Sequence, residues 1–408
     1  MKEKEKSLEE IISFCKKKVP FYKSENYQKA KSFEEIPILT KPIYQKQVPP
    51  FCQDLLAGEL EGSYIFTTSG TTNTPQYITR EFQDFEYQIH DYQGLGIQPK
   101  DVVVNLFWAG IWGIYTSSNI TLMKTGATII PFGGKCLEGK DLESLIQIMK
   151  DFKVNVLFGV PSTLVALGNS LQKEEKISKQ ITKIFCLGEK MYQDTYQFLK
   201  SNFPNSRIKT KYGCMESAGI GYQCEYLTQN AYHIFENRYV EILDPDTNEC
   251  LENGKVGKIV VTSLDKRLIP LLRYDTGDIG KIEASKCLCG TQEVLWVQGR
   301  AGKEIIIASV HINLQTIANL VQAKSKTYLI HQIIVKKTDS LDQIEIRIVA
   351  EAVQEPELLK AIVLQYPDLN DCIKQGKIKP IHIQKVCLEQ IELNNKTGKV
   401  YPFIDKRN

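Results

Sequence analysis

A chain of 408 residues with a formal net charge of +3 is too long for one ordinary hydrophobic core and too nearly neutral to call for a polyanionic partner. Its 42% apolar and 24% charged residues are those of a globular protein, and no apolar run approaches the ~20 residues of a membrane-spanning helix. The lysine clusters at 2–6 and 16–18 lack the interleaved aromatics of a nucleic-acid surface, so neither nucleic acid nor membrane is expected as a partner.

The charged start, M-K-E-K-E-K, has no apolar signal core behind it, so a cytoplasmic location is expected. Eleven cysteines, an odd number scattered along the chain, do not predict a disulfide framework there. In chain order, helical spacing is predicted over 7–18, ending ahead of Pro20, and buried strands over 101–107 and 126–131. A repeating pattern follows: helix 141–152, strand 154–159, helix 161–171, strand 181–187, helix 191–203, strand 207–212. Strands alternating with helices predict a mostly parallel sheet covered on both faces, with ligands beyond the carboxyl ends of its strands. Gly188-Glu189 and Tyr212-Gly213 fall at such ends.

From about residue 234 the short segments 239–243, 256–263 and 278–283 predict antiparallel strands. Past Gly302 an apolar stretch, a hairpin over 328–337 and 343–350, a helix at 357–364 and a strand at 381–387 predict a separate α+β unit of about a hundred residues. The expected class is therefore α/β. A large N-terminal domain, 1–300, combines mostly parallel sheets with a β-rich subdomain, and a small mobile α+β lid spans 301–408. No internal repeat or low-complexity segment is present.

One stretch carries unusual chemistry. Residues 67–76, T-T-S-G-T-T-N-T-P-Q, follow a strand-like segment with hydroxyls and a glycine, a composition able to wrap phosphate oxygens. It is not a Walker loop, since no Gly-Lys-Ser/Thr follows at the required spacing, and alone it reads equally as a polar turn. It resembles, however, the T-S-G-T-T-G-x-P-K signature of adenylate-forming enzymes, the superfamily of acyl-CoA synthetases, peptide-synthetase adenylation domains and luciferases. Four further motifs are similar to that superfamily's, in order: Y-G-C-M-E (212–216), R-Y-D-T-G-D (273–278), Gly299-Arg300, and T-G-K (397–399). Each is weak singly; five in order are specific. V-P-F-Y (19–22), I-P-I-L-T-K (36–41), L-G-E-K-M (187–191), H-I-F-E-N (233–237), E-I-L-D-P (241–245) and P-L-L-R-Y (270–274) resemble the phenylacetate-CoA ligase branch.

The resemblance implies attack of a carboxylate on the α-phosphate of ATP, giving an acyl-adenylate and pyrophosphate, then displacement of AMP by a thiol of CoA or of a carrier-protein phosphopantetheine. Such chemistry needs positioning and charge stabilisation above all. By resemblance Thr68, Ser69, Gly70, Thr71 and Thr72 hold the β- and γ-phosphates, and Tyr212 stacks on adenine. Gly188, Glu189 and Gly213 belong to the nucleotide-lining motifs, Asp278 binds the ribose hydroxyls with Arg300 nearby, and Glu216 helps bind Mg²⁺. Lys399 bridges carboxylate and α-phosphate, a point charge suited to oxygens whose charge shifts during reaction. Lys399, Glu216 and Thr71 form the expected catalytic set.

Cys224, His233, Cys287 and Cys289 supply three thiolates and an imidazole, a reasonable tetrahedral zinc set although not at the spacing of a common zinc finger. Four protein ligands leave no open position, so a structural Zn²⁺ is expected. Four reduced, buried residues are the alternative.

The chain departs from the pattern at four places. Asn73 replaces glycine and Gln76 replaces the lysine of many members; Gly302 takes the hinge aspartate's place and Ser309 that of a glycine beside the pantetheine tunnel. These leave open an amide ligase with an amine acceptor and a catalytically impaired nucleotide-binding protein. Trp108, Ile111 and Trp112 lie where the superfamily often lines its acid pocket. Two tryptophans suit a flat aromatic acid, but they read equally as core residues. Oligomerisation is left open.

Overall fold

The structure is a computed structural model, and it describes residues 2–68, 76–133, 139–189, 191–227, 230–300, 304–307, 310–338, 341–393 and 399–407. A short antiparallel hairpin, β1 (Tyr64–Thr68) and β2 (Gln76–Arg80), precedes the main sheet. The alternating pattern of the sequence becomes β3 (Val102–Asn105), β4 (Thr128–Ile130), β5 (Val156–Gly159), β6 (Lys183–Cys186) and β7 (Arg207–Cys214). These run parallel in the order β4-β3-β5-β6-β7.

Successive side chains of a strand point to opposite faces, and the buried residues obey that rule. On one face Val104, Leu157, Ile184 and Cys186 pack with the helices Gly139–Asp151, Pro161–Ser170 and Gln193–Asn202 through Leu145, Leu164 and Leu199. On the other, Val103, Val156, Phe158 and Phe185 pack with Tyr92 and with Leu122 of the helix Gly113–Lys124. Strands buried on both sides read as the near-continuous apolar runs seen in the sequence.

The β-rich part is not a separate sheet. β8 (Ala218–Tyr222), β9 (Ala231–Ile234), β10 (Arg238–Leu243), β11 (Gly257–Ser263), β12 (Tyr274–Ala284) and β13 (Glu293–Arg300) extend the same sheet antiparallel. Eleven strands run β10-β11-β12-β13-β9-β8-β7-β6-β5-β3-β4. The N-terminal segment closes this half. Leu8, Ile11 and Cys15 of the helix Lys2–Lys18, with Tyr22 and Leu39, share a core with Ile220, Ile242, Val261 and Leu295.

Arg273, first residue of R-Y-D-T-G-D, has a structural part here. It is buried, meets both carboxylate oxygens of Glu241 (Nε at 3.1 Å, Nη2 at 2.9 Å) and donates to the carbonyls of Glu34 and Ile36. It thereby fastens the N-terminal segment to β10 and β12.

The C-terminal part has its own sheet and core. β14 (Glu304–Ile307) and β15 (Val310–Asn313) form a hairpin, and Asn313 caps the helix Leu314–Ala323 by accepting from the Thr316 amide at 3.0 Å. The expected hairpin is longer than the sequence implied: β16 (Ser325–Thr338) and β17 (Leu341–Val353). β18 (His382–Lys385) adds parallel to β17, and β19 (Phe403–Lys406) adds parallel to β16. The final strand was not anticipated; its four residues mix two charges with two apolar side chains and carry no alternation long enough to read. Among the described residues no helix is long and apolar enough to cross a membrane.

Candidate active site

Three stretches far apart in sequence meet at the carboxyl edge of the sheet. The Thr67 amide donates to the Ile111 carbonyl at 3.0 Å, and Thr67 bridges Trp112. Gly113 begins the next helix so close that a Cβ there would stand 2.3 Å from Met215 Cε and 2.9 Å from Phe66 Cγ. The root of the hydroxyl-rich loop, the tryptophan segment and Y-G-C-M-E are therefore neighbours. Ser69, Gly70, Thr71, Thr72 and Asn73 lie outside the described residues, as do Gly302, Ser309, Thr397 and Gly398. Thr68 ends β1 and pairs with Gln76, which opens β2. Trp108 and Trp112 are half-buried and Ile111 is exposed.

Tyr212 is buried at the end of β7 and donates its hydroxyl to Asp278 Oδ2 at 2.9 Å. Burial raises the phenol's pKa well above its ordinary value, and the Asp278 charge adds to this. Its ring tilts against Tyr232, with centroids 5.6 Å apart. The Asp278 amide donates to Thr276 Oγ1 at 3.1 Å, and the backbone of Asp278 pairs with that of Arg300 across β12 and β13. Gly213 admits no side chain, because a Cβ would stand 2.1 Å from the Ala218 carbonyl oxygen.

Glu216 is buried, 3% exposed. Its Oε1 finds no hydrogen-bond donor in good geometry among the described residues and lies 3.5 Å from Lys41 Nζ. Lys41 closes I-P-I-L-T-K, a stretch legible in sequence without any role for its lysine. Arg80, also buried, donates to the carbonyls of Met215 and Glu216 and holds the motif's backbone. A carboxylate oxygen short of donors suits a hard divalent cation, so Glu216 fits Mg²⁺.

Lys399 arrives from the far end of the chain. A Cβ built on Gly188, whose φ is +88°, would stand 2.7 Å from Lys399 Nζ and 3.1 Å from its Cε. Glycine at 188 thus serves both the left-handed turn and the close approach of the lysine. Beside it Glu189 accepts from the Ser162 amide at 3.0 Å, the Ser162 hydroxyl at 2.9 Å and the Val400 amide at 3.1 Å. Burial raises the Glu189 carboxyl above its ordinary range, against the lowering pull of the Ser162 bonds and of Lys399. Glu189 therefore ties the start of the helix Pro161–Ser170 to the residue after the lysine.

The four metal-ligating candidates converge as well. The ligand atoms of Cys224, His233, Cys287 and Cys289 all lie within 4.8 Å of one another. The sulfurs of Cys224 and Cys287 are 3.5 Å apart, those of Cys287 and Cys289 3.4 Å, and Cys289 Sγ is 3.2 Å from His233 Nε2. A tetrahedral zinc with bonds of ~2.3 Å would set sulfur–sulfur edges of ~3.8 Å, so the set fits with small adjustments. His233 Nδ1 sits 3.0 Å from the Glu293 carbonyl, which aims Nε2 at the centre.

Residues 4–264 match the model of the AMP-binding enzyme family. The chain belongs to that family. The phenylacetate-coenzyme A ligase of Thermus thermophilus is 25% identical over 361 residues, covering 84% of this chain and 80% of the relative. The indoleacetate–lysine synthetase of Pseudomonas savastanoi is 25% identical over 60% of this chain and 58% of its own length. A crystal structure of 2-hydroxyisobutyryl-CoA ligase in the postadenylation state with its acyl-AMP superposes with a TM-score of 0.75 at 17% identity, covering 98% of this chain and 88% of the other. The same ligase in its thioesterification state gives 0.66 at 18% identity, covering 100% and 90%. Within its family the chain falls on the phenylacetate-CoA ligase branch, and it is an adenylate-forming ligase.

Proposed function

We propose that residues 188–189, 212–216, 278 and 399 form one adenylation site that takes an aromatic carboxylic acid and ATP, and that the thiol acceptor is CoA. The observation that carries this reading is the seating of Lys399 against Gly188, which puts the one C-terminal cation the chemistry needs beside the nucleotide motifs.

In the first step a carboxylate oxygen attacks the α-phosphorus. The bond from that phosphorus to the bridging oxygen breaks, and pyrophosphate leaves with the electron pair. Lys399 holds the attacking carboxylate and the α-phosphate oxygens together. Thr68, Ser69, Gly70, Thr71 and Thr72 hold the outgoing phosphates, while Tyr212, Gly188, Glu189 and Gly213 frame the adenine. Asp278 accepts from the ribose hydroxyls, with Arg300 opposite. Glu216 would hold Mg²⁺, which when bound neutralises phosphate charge. In the second step the thiol sulfur attacks the acyl carbon and AMP leaves. Residues 1–300 act as the body and 301–408 as a lid that turns between the steps. The separate sheet and core of the C-terminal part support that division.

Cys224, His233, Cys287 and Cys289 hold a structural Zn²⁺ that pins the chain after β8 to the turn joining β12 and β13. Cysteines without disulfide bonds suit the reducing cytoplasm. Trp108 and Trp112, beside the root of the phosphate loop, support an aromatic acid. A second reading, transfer to an amine, has a specific motive: one relative is named as an amino-acid conjugating synthetase. Mass analysis of products formed with CoA, a holo-carrier protein or free amines separates the acceptors. A CoA thioester is expected; an amide formed in its place would overturn the choice.

A further inference from the structure

Lys399 acts on a site in the main sheet, yet it is carried by a chain segment whose support comes from β16. Gln332, on β16, is fully buried. Its Nε2 donates to the Glu392 carbonyl at 2.9 Å and to the Tyr401 carbonyl at 2.9 Å, and its Oε1 accepts from the Glu392 amide at 3.1 Å. Glu392 and Tyr401 flank the segment that carries Lys399, and Leu393 bridges Val400 between them. The next β16 residue repeats the hold, with the Ile333 amide donating to the Pro402 carbonyl at 3.0 Å. One buried amide thus uses both donors and its acceptor to clamp the two stems beside the lysine. A strand interior has no need of such a residue, and an apolar one would pack there more cheaply.

The residues just before Gln332 do something different. Thr195, 2% exposed on the helix Gln193–Asn202, donates its hydroxyl to the Leu329 carbonyl at 2.9 Å. Leu329 packs into the core formed by the parallel sheet, while Tyr192 packs into the C-terminal core, edge-on to Tyr328 with centroids 4.8 Å apart. Each side inserts an apolar side chain into the other. β16 therefore grips the helix Gln193–Asn202 with residues 328–329 and the lysine stems with residue 332, about 10 Å further along at ~3.3 Å per residue. That helix begins four residues after Glu189, which receives the Val400 amide.

We propose that Gln332 and Thr195 are positioning residues for the adenylation step. Thr195 fixes where β16 docks and Gln332 fixes where Lys399 stands relative to β16, so both serve the first half-reaction and neither serves the second. The inference rests on the adenylation reading above for its kinetic consequence but not for its geometry.

Two variants test it. Gln332→Glu keeps the volume and replaces a two-donor amide by an acceptor facing two carbonyls; Thr195→Val removes only the docking hydroxyl. Deuterium uptake by the peptide spanning 390–403 should rise in Gln332→Glu, with the rest of β16 protected as in wild type. In pyrophosphate exchange both variants should lose kcat, about tenfold or more for Gln332→Glu and about fivefold for Thr195→Val, with KM for ATP within twofold. Thioester formation from supplied acyl-adenylate should stay at the wild-type rate in Thr195→Val. Unchanged uptake in Gln332→Glu, or equal losses in both half-reactions for Thr195→Val, overturns the proposal. If wild type shows no acid-dependent exchange, the adenylation reading has failed instead, and the uptake comparison still decides the geometry.

Discussion

Gly188→Ala probes the seating of the lysine without touching the lysine itself. A methyl group at 188 would stand 2.7 Å from Lys399 Nζ, where an unstrained contact needs about 3.5 Å, so the ammonium must retreat by about 0.8 Å. The next neighbour, Val160 Cγ1 at 3.6 Å, accepts the methyl as it stands. A φ of +88° costs an L-residue about 1–2 kcal/mol, which lowers stability modestly and leaves the fold intact. Misplacement of a reacting group by about 1 Å costs on the order of 100-fold in rate, or about 2.7 kcal/mol. Acid-dependent exchange of labelled pyrophosphate into ATP at saturating substrates should therefore fall about 100-fold in Gly188→Ala. The decisive comparison is a double-mutant cycle with Lys399→Ala. Once the lysine is gone, the added methyl should cost less than about threefold more. Exchange within twofold of wild type, or the same loss in both backgrounds, would refute the argument that Gly188 is small for the lysine's sake.

Further expectations follow from the other groups. Asp278→Ala removes the acceptor of Tyr212 and of the ribose hydroxyls and should raise KM for ATP about 10- to 30-fold with a smaller effect on kcat, read from initial rates. Purified protein should carry one zinc per chain by elemental analysis, and Cys287→Ser should lower both zinc content and melting temperature; a metal-free protein with an unchanged melting profile would rule the site out. Glu189 has its carboxyl raised by burial, so its ionised form costs stability, a cost absent below about pH 4.3 and growing as pH rises through the folded-state value. The stability difference between Glu189→Gln and wild type should thus shift in the variant's favour as pH rises from about 4 to about 8. A difference that shifts toward wild type over that range would contradict the sign.

The sequence made legible what local pattern encodes. Apolar runs at 101–107, 154–159 and 181–187 matched β3, β5 and β6, because strands buried on both faces have no polar alternation to hide them. Tyr212, Asp278, Glu189 and Lys399 were singled out through motifs, and the structure brings Tyr212 to Asp278 and Lys399 to Gly188. The four zinc candidates were singled out among eleven cysteines by the short intervals within Cys224–His233 and Cys287–Cys289, and the structure brings their ligand atoms within 4.8 Å of one another. Residues that act through tertiary contact left no such mark. Gln332 is an ordinary amide in a strand, Thr195 an ordinary helix hydroxyl, and Lys41 one of many lysines until Glu216 is placed beside it. Continuity of the antiparallel strands with the parallel ones was also invisible, because register across β7 and β8 is set by pairing and not by composition.

The central claim is that one site, completed by Lys399, activates a carboxylic acid with ATP. Its most direct test is acid-dependent exchange of labelled pyrophosphate into ATP, run with the intact protein over aryl, fatty and amino acids and repeated with Lys399→Ala. Exchange supported by an aromatic acid and lost by at least about 100-fold in the variant is expected. Exchange with no acid at all, or exchange that survives the loss of Lys399, would contradict the account.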